Sequence, residues 1–168
     1  FEFIFPYDRA SFSAIIHNAR LSLNTLGYKV TVAVAPKTSP DQKGMLDDAH
    51  DDKGLGQAAN AVLLMTYEWG YTYGPPLAVA PVNKVREVLD YAVTEIDPKK
   101  INMGIPNYGY DWKLPFERGV SRAKLIGNEE AIMIAAKYGV AIDYDELSHA
   151  PTFTYYNEAG EEHVVWFE

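Results

Sequence analysis

The stretch AVLLMTYEWGYTYGPPLAVAP (residues 61–81) contains the pattern that decides the fold. Its first five residues are continuously apolar, which is typical of a strand that is covered on both faces, as in a parallel sheet. A loop rich in aromatic residues comes next, and Pro81 then stands where a helix is predicted to begin. The stretch therefore predicts one β/α unit.

The chain on both sides of this unit predicts the same alternation of strands and helices. Apolar or β-rich runs predict five strands, at residues 1–5, 29–35, 61–65, 101–105 and 163–167. Helices are predicted at residues 8–26, 54–60, 81–96 and 128–139, the last with Asn128 at its cap and Gly139 at its end. Residues 152–156 and 163–167 predict a hairpin, or an insertion hairpin that leads into a last barrel strand. This alternation predicts an α/β protein with parallel units, either a doubly wound sheet or a barrel.

The residues at the strand ends favour a barrel. No glycine-rich phosphate-binding turn comes after any strand, which disfavours a nucleotide-binding sheet. Polar and aromatic side chains instead gather there, where a (β/α)8 barrel has its active face. Because such a barrel takes about 250 residues and eight strands, we expect residues 1–168 to be its C-terminal part, strands four to eight, with three strands before Phe1. A small α+β insertion, residues 140–156, is predicted before the last strand.

Composition excludes several classes of site and partner. The net charge is −8, which argues against nucleic acid as a partner, since binding it requires clustered Lys and Arg. There are no cysteines, so disulfides and Cys-based metal sites are excluded, and no apolar run is long enough to span a membrane. The acidic run at residues 47–52 lacks the spacing of a calcium loop and is predicted to be solvated around a helix start. His17, His149 and His163 are predicted to lie on the surface.

Three stretches resemble glycoside hydrolase family 18, most closely its spore-cortex and peptidoglycan N-acetylglucosaminidase branch. They are LLMTYEWGYTYGPPLAVAP (residues 63–81), KINMGIPNYGYDW (residues 100–112), and YDELSHAP with VVWFE (residues 144–151 and 164–168). The resemblance covers essentially the whole chain. It implies hydrolysis of β-1,4 bonds next to N-acetylglucosamine in peptidoglycan or a chitin-like glycan. The implied mechanism retains configuration and is assisted by the substrate's acetamido group, with no metal or organic cofactor.

The resemblance also implies catalytic residues. The family's motif Asp-x-Asp-x-Glu closes the fourth barrel strand, and the opening Phe1-Glu2 matches its last two positions. Glu2 is thus implied to be the general acid, with the partnering aspartate expected immediately before Phe1. Tyr67 resembles the tyrosine whose hydroxyl holds the acetamido carbonyl.

Substrate-binding residues are implied around these two. Trp166 resembles the tryptophan that forms the floor of the sugar subsite. Asn107 and Tyr108 are implied polar contacts. Glu68 stands where many chitinases carry Asp, and its role stays open between tuning the acid and binding a sugar hydroxyl. Trp69 is left open between extending the cleft and packing the loop.

Two other functional classes remain open from the sequence: a sugar-binding, lectin-like member that has lost its acid, and a structural spore-coat protein with a decayed site. Five parallel strands would leave two open sheet edges, and open edges recruit other chains. We therefore expect this segment alone to be inactive, and either poorly folded or self-associated. The resemblance places the parent protein in the spore coat or cortex, or in an extracytoplasmic cell wall.

Overall fold

The computed structural model describes residues 4–44 and 47–168, which form two compact units. The first unit comprises the chain up to Thr66 together with residues 86–104. The second comprises residues 67–85 and 105–168. Each unit has a sheet of its own, and the mixed α/β class predicted from the sequence is confirmed.

The first unit is built on a three-stranded parallel sheet. Its strands are β1 (Thr31–Val34), β2 (Ala61–Leu64) and β3 (Ile101–Met103), in the order β1-β2-β3. Helices α1 (Arg9–Asn24) and α2 (Asp52–Ala58) belong to this unit, as does most of α3 (Val82–Glu95). The helix–strand order around β2 is therefore the predicted one.

The core of the first unit comes from alternate strand residues and from one stripe of each helix. Val32 and Val34 are buried on β1, as are Val62 and Leu64 on β2. Helices add buried apolar side chains, namely Phe12, Ile16, Leu55, Ala58, Val88 and Ala92. The buried stripe on α1 is narrow. Phe12 and Ile16 lie one turn apart and are buried, whereas Ile15, Leu23 and Leu26 are exposed.

A buried ion pair links the segment after β1 to the start of α2. Lys37 is 2% exposed and Asp52 is 5% exposed, with Nζ and Oδ2 3.4 Å apart. Lys37 also donates to the main-chain oxygen of His50 at 2.7 Å, and His50 Nδ1 accepts from the Ala35 amide at 2.9 Å. Burial raises the pKa of Asp52 to about 6, against the opposing effect of the Lys37 charge. The prediction that residues 47–52 are solvated is therefore wrong for Asp52.

The second unit is built on a five-stranded antiparallel sheet. Its strands are β4 (Tyr108–Lys113), β5 (Lys124–Gly127), β6 (Asp143–Asp145), β7 (Ala150–Tyr156) and β8 (Glu162–Phe167), in the order β5-β4-β8-β7-β6. Helix α4 (Asn128–Tyr138) buries Ala131 and Ala135 in a cluster with Phe153, Val165 and Phe167 of the sheet. A second cluster joins Tyr110 and Trp112 of β4 to Val79 and Ala123.

The predicted last barrel strand is part of this antiparallel sheet. Residues 163–167 lie in β8, which pairs antiparallel with β4 and with β7. A barrel strand would run parallel to its neighbours, so this assignment is wrong, and so is the count of five parallel strands. The physical reason is the short connection from Tyr156 to Glu162, because parallel strands need a crossover of a dozen or more residues.

Other boundary predictions have mixed outcomes. The hairpin of β7 and β8 is confirmed, and α4 ends at Gly139 with φ +65°, as predicted. The cap is wrong: Gly127 precedes the helix, and the Asn128 side chain donates instead to the main-chain oxygen of Glu168. The second unit extends further on both sides than the predicted insertion at residues 140–156. The first predicted strand lies partly outside the described residues, and Ile4 and Phe5 are not in a strand.

His163 is held inside a side-chain network rather than lying on the surface as predicted. Its Nδ1 is 2.8 Å from Asp111 Oδ1, and its ring stacks on Tyr155 at 4.9 Å between centroids. Tyr155 donates its hydroxyl to Asp111 Oδ2 at 2.8 Å. This network ties β4, β7 and β8 together, since each strand contributes one of the three side chains.

Removing the buried carboxylate should cost far more than removing an exposed one. We expect Asp52→Ala to lower the free energy of unfolding by about 3–5 kcal/mol, because it leaves the Lys37 ammonium buried without its counter-charge. The matched control is Asp48→Ala, which removes the partner of Lys43, a side chain that is 82% exposed. Its loss should be much smaller. Urea unfolding of the protein that carries this chain, followed by far-UV circular dichroism, measures both; equal losses would contradict the ion-pair argument.

Candidate functional site

The loop after β2 carries Tyr67, Glu68 and Trp69 and folds back on itself in the second unit. The Trp69 amide donates to the Val79 oxygen at 3.1 Å, and the Gly70 amide donates to the Ala78 oxygen at 2.9 Å. The two sides of the loop approach so closely that a Cβ at Gly70 would lie 2.0 Å from the Leu77 main-chain oxygen. Glycine is therefore required at residue 70 for the loop to close.

Glu68 is the most constrained residue of this loop. Its φ is +70°, in the left-handed region that side-chain-bearing residues rarely adopt. Tyr108 donates its hydroxyl to Glu68 Oε1 at 2.6 Å, and Tyr110 donates to the same oxygen at 2.9 Å. Backbone strain of this kind persists when surrounding contacts hold it, and it clusters at functional sites.

The two tyrosines stay protonated and therefore act as donors to Glu68. Burial raises the pKa of both hydroxyls, and the hydrogen bonds to Glu68 raise them further. The pKa of Tyr110 reaches about 12. Their rings meet edge to face with centroids 6.0 Å apart, which fixes both hydroxyls toward one carboxylate. The arrangement can hold a fixed negative charge on Glu68, the residue after Tyr67.

The structure brings most of the predicted substrate-binding residues into one part of the second unit. Tyr67, Tyr108 and Trp166 all pack, partly buried, against the cluster of Tyr110 and Trp112. Trp166 lies directly opposite Tyr110 in the pairing of β8 with β4. Trp112 is 1% exposed and donates Nε1–H to the Gly74 oxygen at 2.8 Å, so it is structural. Trp69 lines a cavity together with Trp166.

Two of the predicted site residues are not brought into this group. Asn107 is exposed just before β4, and none of the described residues forms a hydrogen bond with its side chain. Glu2 lies outside the described residues, so its role as general acid stays a prediction.

Sequence reasoning missed two residues that organise the site. Tyr110 holds Glu68 across 42 positions of sequence, and the signal was its two-residue spacing from Tyr108, which places both rings on one face of a strand. Glu168 accepts a hydrogen bond from the Ala80 amide at 2.7 Å, and burial raises the pKa of its carboxyl. No local pattern marks Glu168 as a partner of residue 80.

Neither a candidate metal-binding group nor a membrane-spanning helix is found among the described residues. No group of three or more His, Cys, Asp or Glu side chains in residues 4–44 and 47–168 is placed to hold a metal ion. Within the same ranges, the helices lack the combination of length and apolar character that is needed to cross a bilayer.

Comparisons with known proteins agree on one family. The sequence model described as Glycosyl hydrolases family 18 matches residues 1–168. The cortical fragment-lytic enzyme of Bacillus cereus is 45% identical over all 168 residues, which are 39% of its length. The crystal structure of the Bacillus megaterium QM B1551 spore cortex-lytic enzyme SleL is 48% identical and superposes with a TM-score of 0.93, over the whole of this chain and 38% of that one. A chitinase from Chromobacterium violaceum ATCC 12472 is 32% identical with a TM-score of 0.89, over 98% of this chain and 50% of its own.

The tyrosine hydroxyls should contribute measurably to the stability of the loop. We expect Tyr110→Phe to lower the free energy of unfolding by about 1 kcal/mol, because it removes one hydrogen bond to a carboxylate while keeping the ring. The double variant with Tyr108→Phe should lose more than the sum of the two single changes, since Glu68 then has neither donor. Urea unfolding followed by tryptophan fluorescence reports on residues 67–168, where all three tryptophans lie. Tyr156→Phe, at a side chain 62% exposed, is the control; strict additivity would contradict the shared-acceptor argument.

Proposed function

The chain belongs to glycosyl hydrolase family 18, and from that premise we propose that the protein carrying it hydrolyses β-1,4 bonds next to N-acetylglucosamine in peptidoglycan or a chitin-like glycan. The observation that carries the proposal is the carboxylate of Glu68, the residue that follows Tyr67 in the chain, which two tyrosines hold in place. The names of two similar proteins, cortical fragment-lytic enzyme and spore cortex-lytic enzyme, support a glycan of the spore cortex as the substrate. Because the chain spans about two fifths of those relatives' length, the activity is proposed for the whole protein.

The proposed reaction uses the substrate's own acetamido group as the nucleophile. Glu2 donates its proton to the glycosidic oxygen, and the acetamido oxygen attacks the anomeric carbon as the carbon–oxygen bond breaks. An oxazolinium ion forms, and the part of the glycan that carries the protonated oxygen leaves. Water then attacks the same carbon, Glu2 takes its proton, and the acetamido group is restored. Two inversions at one carbon retain its configuration.

Tyr67 and Glu68 have separate roles in this proposal. Tyr67 donates its hydroxyl to the acetamido carbonyl and orients it for attack. Glu68 supplies a negative charge near the cationic oxazolinium, and the hydrogen bonds from Tyr108 and Tyr110 keep that charge in place. Preorganised charge of this kind stabilises a transition state without reorganisation during the reaction. No step requires a metal or an organic cofactor.

The barrel assignment remains part of the proposal. We propose that β1, β2 and β3 are consecutive strands of a catalytic (β/α)8 barrel, because they are parallel and alternate with helices. The antiparallel unit then replaces the predicted 140–156 segment as the insertion. Tyr108, Trp69 and Trp166 remain proposed substrate contacts, Trp166 now from the antiparallel sheet rather than from a barrel strand. Asn107 keeps its proposed role on the strength of the family resemblance.

The first test concerns the acid. In the protein that carries this chain, Glu2→Gln should reduce turnover of a chitooligosaccharide by about 10²–10⁴-fold and leave its affinity unchanged, since an amide has nearly the same shape but cannot donate the proton. Glu129→Gln, on the exposed first turn of α4, is the matched control and should keep full activity. Undiminished turnover by Glu2→Gln would refute the assignment, and binding without turnover by the unaltered protein would favour a lectin-like function.

The second test concerns substrate assistance. Tyr67→Phe should lower kcat more than it raises KM, because the hydroxyl orients the acetamido oxygen for attack, and the transition state depends on that alignment more than ground-state binding does. A thiazoline analogue of the oxazolinium should inhibit competitively. Tyr156→Phe is the control, with no expected change in either constant. If the thiazoline fails to bind while hydrolysis proceeds, the acetamido group is not the nucleophile.

A further inference from the structure

A cavity of about 380 Å³ opens where β4 ends, and its wall is formed by side chains within residues 112–122. It lies wholly within the second unit and shares no residue with the cavity that Trp69 lines. The volume lies near the lower end of the range for small-molecule sites, so it suits a group the size of one amino acid. The wall combines apolar and charged side chains, namely Leu114, Pro115, Val120, Lys113, Glu117 and Arg122.

Hydrogen bonds within the second unit fix the backbone of this wall. The Ser121 amide donates to the Glu117 oxygen at 2.9 Å, and the Glu117 amide donates back to Ser121 Oγ at 2.8 Å. The Ala123 amide donates to the Thr72 oxygen at 2.7 Å, which ties the wall to the loop that carries Glu68. The charged side chains therefore extend from a backbone that is already ordered, and this lowers the entropic cost of binding a ligand.

Arg122 is a cation that is oriented but not paired. Its guanidinium carbon lies 5.2 Å from the centre of the Tyr73 ring, and stacking of this kind orients the group while its N–H donors stay free. None of the described residues forms a hydrogen bond or an ion pair with the Arg122 side chain. Ser121 adds a second donor, because its hydroxyl oxygen accepts from the Glu117 amide and its proton is not used there.

The other two charged side chains of the wall differ in their pairing. Lys113 is paired with Glu161, whose second oxygen accepts from Asn157 Nδ2 at 2.7 Å, so this cation is already neutralised. The Glu117 carboxylate, in contrast, has no hydrogen bond or ion pair to any described residue. Among the charged side chains that line it, the cavity therefore offers one unpaired cation, Arg122, and one unpaired anion, Glu117.

These two charges favour a ligand that carries both signs. A chitin-like glycan is neutral and gains nothing from either charge. A purely anionic ligand, such as phosphate, is attracted by Arg122 but repelled by Glu117. The peptide of peptidoglycan carries carboxylates and, where it contains a diamino acid, an ammonium group as well. A carboxylate matches the planar fork of Arg122, and an ammonium group can donate to Glu117.

We propose that this cavity binds the peptide side chain of peptidoglycan, with a carboxylate on Arg122 and Ser121 and an ammonium group on Glu117. The inference rests on the proposed function, because it decides between the two glycans named there in favour of peptidoglycan. Arg122 and Glu117 determine specificity in this proposal. They raise the affinity for a glycan that carries the peptide and take no part in breaking the glycosidic bond.

The binding test uses the protein that carries this chain and the tripeptide L-alanyl-γ-D-glutamyl-meso-diaminopimelate, which has no glycosidic bond to hydrolyse. Titration at low salt, followed by NMR of the peptide, should give a dissociation constant about fivefold weaker for Arg122→Gln, the size expected for a partly exposed charge pair. Acetylating the terminal amine of the peptide should weaken its binding to the unaltered protein by a similar factor, and Glu117→Gln should then have no further effect. Arg118→Gln, at an exposed arginine of the same segment that does not line the cavity, is the matched control and should leave the constant unchanged.

Hydrolysis assays separate this inference from the proposed function. Arg122→Gln should lower kcat/KM about fivefold on a peptidoglycan fragment that carries the peptide and should leave turnover of chitohexaose unchanged. Failure of the tripeptide to bind, or equal binding by the unaltered protein and Arg122→Gln, would overturn the inference. Glycan hydrolysis without peptide binding removes the peptide site alone, whereas Arg122-dependent peptide binding without hydrolysis keeps the site and removes the proposed enzymatic function.

Discussion

One face of strand β4 holds the loop at residues 67–80 in place, and the candidate site depends on that packing. Trp112 is buried and ties its indole N–H to the Gly74 oxygen, while Tyr110 reaches Glu68 from two residues earlier on the same face. Buried main-chain oxygens need partners, and here the Trp112 side chain of β4 supplies one. β4 can come this close to β8 because of Gly109: a Cβ there would lie 2.2 Å from the Trp166 oxygen. The loop, the strand and the aromatic side chains therefore form a single interlocked arrangement.

The chemistry of the site results from that arrangement. Glu68 has a strained backbone conformation. Its two hydrogen-bond donors are tyrosines whose raised pKa values keep their hydroxyls protonated at neutral pH. A carboxylate with only neutral donors keeps its full negative charge, whereas an arginine or lysine partner would cancel most of it. In the proposed mechanism this difference matters, because the intermediate is a cation and an uncancelled charge on Glu68 would stabilise it.

Features encoded by neighbouring residues could be predicted from the sequence, and features that depend on distant pairing could not. The apolar run before Tyr67, Pro81 at the start of α3 and Gly139 at the end of α4 are local signals, and they were interpreted correctly. The direction of β8 was not predicted correctly, because an apolar run has the same composition whether the strand is parallel or antiparallel to its neighbours. Lys37 and Asp52 lie 15 positions apart and resemble ordinary surface charges, so nothing local reveals their burial. The position of Tyr110 could be predicted, since its spacing from Tyr108 places both rings on one face of a strand. Its hydrogen-bond acceptor, Glu68, could not be predicted.

The parallel sheet holds close together the two points from which the chain continues toward Glu68 and toward Tyr108. The chain leaves it at Thr66, just before Tyr67, and again at Gly104, just before the segment that leads to Tyr108. Thr66 is fully buried and donates its hydroxyl to the Gly104 oxygen at 2.8 Å, and the Gly104 amide donates to the Leu64 oxygen at 2.9 Å. The two exits are thus fixed side by side although they are 38 positions apart in the chain. Because the ends are already joined, bringing Glu68 to Tyr108 closes a loop of a few residues rather than one of about forty, and the entropic cost of forming the site is correspondingly lower.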